Sequence, residues 1–89
     1  MVAIQINNEK EIQLDGMFIS IGLIPQSDLA KDILELNKYG YIEASDCLTK
    51  KAGIFIAGDC RNKKVRQITV ATSDGTVAAM NAIEYLNSN

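Results

Sequence analysis

Gly58-Asp59 stands at the end of a compact apolar run, Ile54-Phe55-Ile56-Ala57, and is followed by a basic loop, by Arg66-Gln67 and by a helix-forming stretch. In that order these residues could hold a ligand. Glycine lets a ligand approach the backbone. A carboxylate fixed just past a strand end, as Asp59 would be, is an acceptor suited to a sugar hydroxyl. The N-terminus of the next helix offers unpaired N–H groups and a partial positive charge, which favour a phosphate or an electron-rich ring edge. In open α/β sheets ligands bind outside the C-terminal ends of strands, which is where this Gly-Asp falls. A Gly-Asp pair also makes ordinary turns, so by itself it leaves a ligand site and a turn equally open.

Other chemistries are excluded by what the chain lacks. With no His there is no Ser-His-Asp triad, no Cys-His pair and no His-ligated zinc. Its two cysteines, Cys47 and Cys60, form no Cys-x-x-Cys and cannot make a four-thiolate site, so neither a local redox dithiol nor a metal centre is expected. Two free thiols in a reduced cytosol are the favoured reading, with a single disulfide as the alternative. The longest apolar run, Met17 to Ile24, is interrupted by Ser20 and Gly22 and is far short of the roughly 20 residues of a membrane span. The N-terminus carries no basic region followed by an apolar stretch, so no signal peptide is expected and the location expected is cytoplasmic.

Charge is unevenly spread. The segment from Lys50 to Arg66 holds Lys50, Lys51, Arg61, Lys63, Lys64 and Arg66 against the single acid Asp59, a net of +5 in a chain of net −2. Such an island suits an anionic partner, but on charge alone a solvated loop is the favoured reading. Only Phe55 among aromatics lies within it and no basic stripe runs along a helix, so nucleic acid is not an expected partner.

Elements must place these residues. At 89 residues and 47% hydrophobic, the chain suffices for one small domain with a thin core. Val2, Ile4 and Ile6 alternate with polar or small residues, Asn7-Asn8-Glu9-Lys10 intervenes, and Ile12 and Leu14 resume the pattern, which predicts a β-hairpin. Asp15-Gly16 is a turn, and Met17–Ile21 is apolar enough for a strand buried on both faces of a parallel sheet. Ser27 is placed to cap a helix whose buried face is Leu29, Ile33 and Leu36. Tyr39–Ile42 reads as a turn into a short strand, and Ile54–Ala57 as a buried strand. A long helix is predicted over about Arg66 to Leu86, with Ile68, Ala71, Gly75, Ala79, Ala82 and Leu86 on its packed face. Gly75 costs about 1 kcal/mol inside a helix, so either the helix starts later with Asp74 as its cap, or Gly75 makes room for a close neighbour.

The stretch from Thr49 to Asp59 resembles the second flavin-binding motif of the pyridine nucleotide-disulfide oxidoreductases. Arg66-Gln67, followed by a helix with Asp74-Gly75 and Ala78-Ala79, narrows the resemblance to the bacterial-type thioredoxin reductases. Phe18–Gln26 is similar to the strand and crossover by which that family's chain returns from its NADPH domain to its FAD domain. Asp15-Gly16, Tyr39–Ile42 and Glu84-Tyr85-Leu86 fit as well. The similarity runs in one order over nearly the whole chain.

That resemblance implies an α/β fold, a fragment of a two-domain FAD/NAD(P)-binding flavoprotein with short strands and a long C-terminal helix. Residues 1–22 would be the tail of the NADPH domain and its crossover strand, and residues 23–89 the C-terminal segment of the FAD domain. The parent would pass reducing equivalents from NADPH through FAD to a redox disulfide and then to thioredoxin, with this segment contributing to FAD binding. Gly58 and Asp59 would meet the ribityl chain, and Arg66, Gln67 and Ile68 the isoalloxazine, with no catalytic residue assigned. The glycine-rich nucleotide loops and the Cys-x-x-Cys of the family are absent from these residues, and Lys51-Ala52 and Cys60 replace the Val-Pro and Val that members often carry. The 89 residues alone are therefore expected to be inactive. A related flavoprotein, such as a peroxiredoxin reductase subunit or a ferredoxin–NADP reductase, is one alternative, and a small anion-binding module is another. The family also implies that Ile4, Ile6, Ile12 and Leu14 pack on NADPH-domain strands. On its own the chain is thus expected to form a homodimer, a swapped oligomer or a poorly ordered N-terminus.

Overall fold

The computed structural model describes residues 3–88. Strands β1 (Ala3–Ile6) and β2 (Lys10–Gln13) pair antiparallel, with Ile4 opposite Ile12 and Ile6 opposite Lys10. Asn7 and Asn8 both take positive φ, 53° and 61°, and the Glu9 N–H closes the turn on the Ile6 carbonyl at 3.0 Å. Asparagine tolerates this left-handed region better than other side chains, which is why an Asn pair makes the hairpin. Val2 lies outside the described residues. Among the described residues the hairpin contacts no other helix or strand, and the chain spans 64 × 26 × 20 Å with a radius of gyration of 19.0 Å. A compact chain of this length would have about 12 Å.

The apolar segment 17–24 departs from its expectation. The strand expected at Met17–Ile21 does not form: these residues pair with nothing among the described residues, and Phe18 and Ile21 are 101% and 92% exposed. A strand buried on both faces exists only between neighbouring strands, and none of the described residues supplies them.

The helix expected after Ser27 is reduced to a single tight turn, Asp28–Ala30, running on through turns to Leu34. Its buried side chains are Ala30 and Leu34, whereas Leu29 is 98% exposed and Ile33 is half exposed. Ser27 does not cap it. The side chain of this buried serine donates instead to the Gly40 carbonyl at 2.6 Å, tying the turn to a neighbouring one. That second turn is built by Asn37, whose side-chain oxygen accepts the N–H groups of Tyr39 and Tyr41, with Gly40 at φ +89°.

The core is small. Ala30, Leu34 and Ile42 form it, with Leu36, Ile54, Ile56 and Cys60 packed around. Ile42 organises it through its backbone: it pairs antiparallel with Leu36, donates to the Cys60 carbonyl at 2.8 Å and accepts from the Asn62 N–H at 2.7 Å. The expected strand at 54–57 is likewise only a single bridge, Leu48 to Phe55, with its side chains half-buried and Ala57 exposed.

The long helix is α1 (Ile68–Ser88). It passes through Gly75 without interruption, so Asp74 is not its cap. Nothing lies within 4 Å of where a Gly75 side chain would begin, so no close neighbour among the described residues uses the space. The packed face is turned from the expected one. Of the expected residues Ala71 and Ala82 are half-buried, but Ile68, Gly75, Ala79 and Leu86 are exposed, while Asp74 is buried and Val70, Ala78 and Asn81 are half-buried. The reason is electrostatic, because the side chain at the centre of the contact is a carboxylate that meets two cations of the preceding loop.

Candidate functional site

Gly58 takes φ +95°, a conformation open to glycine and costly for other residues, and there is empty space where a side chain would stand. Its turn is closed by the Arg61 N–H on the Gly58 carbonyl at 3.2 Å. Asp59 follows at the surface. Among the described residues its carboxylate accepts no hydrogen bond, and only its backbone carbonyl is engaged, by Arg66 Nε at 3.0 Å.

Asp59, Arg66, Gln67 and Ile68 come together around one hollow of about 420 Å³, completed by Ala71 and Thr72 of α1. Gly58 lies directly behind it in the chain. The first-turn N–H groups of α1, which have no intrahelical acceptors, are at this end of the helix. A second hollow of about 250 Å³ shares Asp59 and Arg66 and is lined otherwise by Leu23, Ile24, Pro25, Gln26 and Tyr41. Asp59 and Arg66 thus stand between two hollows, one walled by α1 and one by segment 23–26. A third hollow, of about 310 Å³, lies between loop 48–55 and the C-terminal half of α1, where Phe55 and Tyr85 meet edge to face. It contains none of the expected site residues.

Arg66 is a strut. Its guanidinium stacks on the Tyr41 ring, 3.7 Å from the centroid, and donates to the carbonyls of Asp59 and Arg61 at 3.0 and 3.1 Å. Two of its donors are therefore committed to the loop itself.

Behind the loop lies a cluster that sequence reasoning missed. Asp74, 5% exposed, accepts from Arg61 Nε and Nη2 at 3.0 and 2.8 Å, from Lys63 Nζ at 3.0 Å and from the Gly58 N–H at 3.0 Å. The Arg61 side chain holds the carboxyl far below the ordinary carboxylate range, and the Gly58 N–H and Lys63 add to this, against a burial cost that acts the other way. Arg61 in turn is pushed up by its hydrogen bonds to Asp74, and its Nη1 donates to the Ala44 carbonyl at 3.2 Å. The signal was present in the sequence: Asp74 is the only charge in the stretch Ile68–Ala79.

The same face of α1 fixes the loop before it. Asp46 and Cys47 both adopt positive φ, 52° and 64°, a strained pairing for non-glycine residues. They are held by Asn81, which donates to the Asp46 carbonyl at 2.7 Å, and by the Cys47 thiol, 3.5 Å from the Asp74 carbonyl. Burial, then the nearby Asp74, pushes the Cys47 thiol pKa up. Cys47 and Cys60 are both unpaired.

The basic island is largely spent inside the molecule. Arg61 and Lys63 meet Asp74, Lys50 meets Glu35 at 2.6 Å, and Arg66 holds backbone carbonyls. Of its six cations, four are so engaged, which weakens the case for the island as an anion-binding surface.

Residues 1–75 match the family model described as pyridine nucleotide-disulphide oxidoreductase. The chain belongs to that family. It is 44% identical over 84 residues to a protein of Clostridium pasteurianum described as a 34.2 kDa protein in the rubredoxin operon, covering 93% of this chain and 27% of that one. It is 46% identical over 79 residues to the thioredoxin reductase of Bacillus subtilis, covering 88% of this chain and 25% of that one. The crystal structure of thioredoxin reductase from Streptococcus pyogenes superposes with a TM-score of 0.80 at 33% identity, over 98% of this chain and 30% of that one. The chain thus spans about a quarter of the length of these relatives, and its fold is a piece of the thioredoxin reductase fold, with short strands and one long C-terminal helix. No helix among the described residues is long and apolar enough to cross a membrane.

Proposed function

We propose that this chain forms the flavin-facing wall of an NADPH-dependent thioredoxin reductase. Residues 1–22 correspond to the end of the NADPH domain and residues 23–89 to the C-terminal segment of the FAD domain. The observation that carries this reading is the uncommitted Asp59 carboxylate between two hollows at the N-terminal end of α1.

The residues present fit FAD. Asp59 is an open acceptor for a ribityl hydroxyl. The empty space at Gly58 leaves the backbone approachable. Gln67, Ile68 and the first turn of α1 offer backbone N–H groups and the positive end of the helix dipole, which favour negative charge on a neighbouring ring system. Arg66 contributes by holding the Asp59 and Arg61 carbonyls in place. Bound FAD would accept hydride from NADPH and pass the electrons to a protein disulfide, chemistry that belongs to the cofactor. The chain's own part is to bind, orient and supply a preset electrostatic environment. Cys47 takes no part in this exchange, being buried and held away from the surface by α1.

A hybrid tests the reading. Residues 1–89 replace the matching quarter of the Bacillus subtilis enzyme, and NADPH-dependent reduction of thioredoxin is followed. Turnover with retained FAD supports the proposal. A folded hybrid that holds no FAD contradicts it. The 89 residues alone, having no dithiol pair, are expected to give no turnover.

A further inference from the structure

Asp74 is buried and charged and lines neither hollow at Asp59, yet it touches the loop that presents Asp59 at three points. It accepts the Gly58 N–H at 3.0 Å, the Arg61 fork at 2.8 and 3.0 Å and the Lys63 ammonium at 3.0 Å. All three donors lie within six residues of one another, on both sides of Asp59. A core-filling role would not require this. A leucine at the same place on α1 would fill the space without ion pairs, and replacing a buried ion pair by apolar packing of similar volume is often neutral or stabilising. What the carboxylate supplies that leucine cannot is direction. It fixes the Gly58 N–H toward α1, and with it the left-handed Gly58 conformation that turns Asp59 outward.

We propose that Asp74 is the positioning residue of the candidate flavin site: through the Gly58 N–H, Arg61 and Lys63 it sets the turn from which Asp59 meets the ligand. This rests on the reading of Asp59 as a ligand-facing carboxylate, and it assigns Asp74 no contact with the ligand. Arg61 extends the same hold to the 44–48 loop, which lines neither hollow at Asp59, by donating to the Ala44 carbonyl at 3.2 Å.

The test is made on the 89-residue chain without flavin, so its result is separate from that of the flavin-binding experiment. Amide exchange and the pH dependence of the Gly58 resonance are read by nuclear magnetic resonance. In the unaltered chain the Gly58 amide stays protected, and its shift stays flat through the range where ordinary carboxylates titrate, about pH 3–5. In Asp74→Asn its exchange rises by about tenfold or more, while amides in the last turns of α1 keep their rates. Because that variant leaves two cations unneutralised, a triple variant, Asp74→Leu with Arg61→Leu and Lys63→Met, serves as control. It recovers thermal stability, and its Gly58 amide remains unprotected. A Gly58 amide as protected in the triple variant as in the unaltered chain would overturn the proposal. So would a Gly58 resonance in the unaltered chain that titrates as an ordinary carboxylate does.

Discussion

The guanidinium of Arg66 lies flat on the ring of Tyr41, 3.7 Å from its centroid, and from that position bridges the carbonyls of Asp59 and Arg61. Tyr41, in the Asn37 turn that leads into the core residue Ile42, thus braces through Arg66 the loop that carries the candidate ligand carboxylate. A stacked, forked donor is a role lysine does not fill. Arg66→Lys should therefore lose both carbonyl contacts together with the stack, whereas Tyr41→Leu should lose the stack alone, worth about 0.5–2 kcal/mol. Urea unfolding of the two variants checks this. Equal losses in both would mean that the bridging contacts contribute nothing.

Asp74 makes stability depend on acid. Its folded pKa lies well below the ordinary value of 3.8 because of Arg61 first, with Gly58 and Lys63 adding. A depressed carboxylate pKa contributes stability that is fully present above the unfolded value and is lost as pH falls through the folded one. Helical circular dichroism should therefore report no loss from this group between pH 7 and about 4, and a decline beginning below that. Asp74→Asn should be less stable at neutral pH, and the difference between the two chains should narrow as the pH is taken below 3.8. A difference constant down to the lowest pH would show that the carboxylate charge is not what stabilises the loop.

The two thiols should react at different rates. Cys47 is 1% exposed and its pKa is raised, chiefly by burial, so little of it is accessible thiolate near pH 8. Cys60 is half-buried. Iodoacetamide followed by mass spectrometry should label Cys60 first and Cys47 only when urea unfolds the chain. Equal labelling without denaturant would show that the 44–48 loop is not held on α1.

The bare apolar segment should drive association. Phe18 and Ile21 stand almost fully in solvent and Ile19, Leu23 and Ile24 are all more than two-thirds exposed. A contiguous exposed apolar run of this kind finds a partner, and for the isolated 89-residue chain that partner is a second copy. Sedimentation velocity should show species larger than a monomer, and Phe18→Asp with Ile21→Asp should shift the distribution toward monomer. A well-ordered monomer for the unaltered chain would contradict this.

What was legible in the sequence was local. The Asn-rich hairpin turn needs only its own residues, and α1 emerges from a long stretch free of proline. The Gly58-Asp59 turn and the Arg66-Gln67-Ile68 entry to the helix were placed by type and spacing, and four of these residues line one hollow. What failed depended on distant partners. Met17–Ile21 has the composition of a central strand, but composition cannot supply the flanking strands that make it one. Leu29 and Ile33 fit a helical face, yet the element is a single turn, too short for a periodicity to hold, and Ala30 and Leu34 are buried instead. Ser27 has the chemistry of a cap, but the Gly40 carbonyl competes for its hydroxyl and wins. In the sequence Asp74 has the look of a helix start, because its role depends on Arg61 and Lys63, which by charge alone belong to the basic island. A carboxylate alone in an apolar helical stretch was the sign that cations would come to it.

Asp59 as the ligand-facing carboxylate of a flavin site is tested by the FAD affinity of the hybrid enzyme with and without it. FAD retained after gel filtration is quantified by absorbance in the hybrid and in its Asp59→Ala form. Loss of a charge-assisted hydrogen bond to a ligand hydroxyl, worth about 1.5–3 kcal/mol, corresponds to affinity weaker by about one to two orders of magnitude. That loss, with unchanged circular dichroism, is the predicted result. An Asp59→Ala hybrid that binds FAD as tightly as its parent would contradict the assignment.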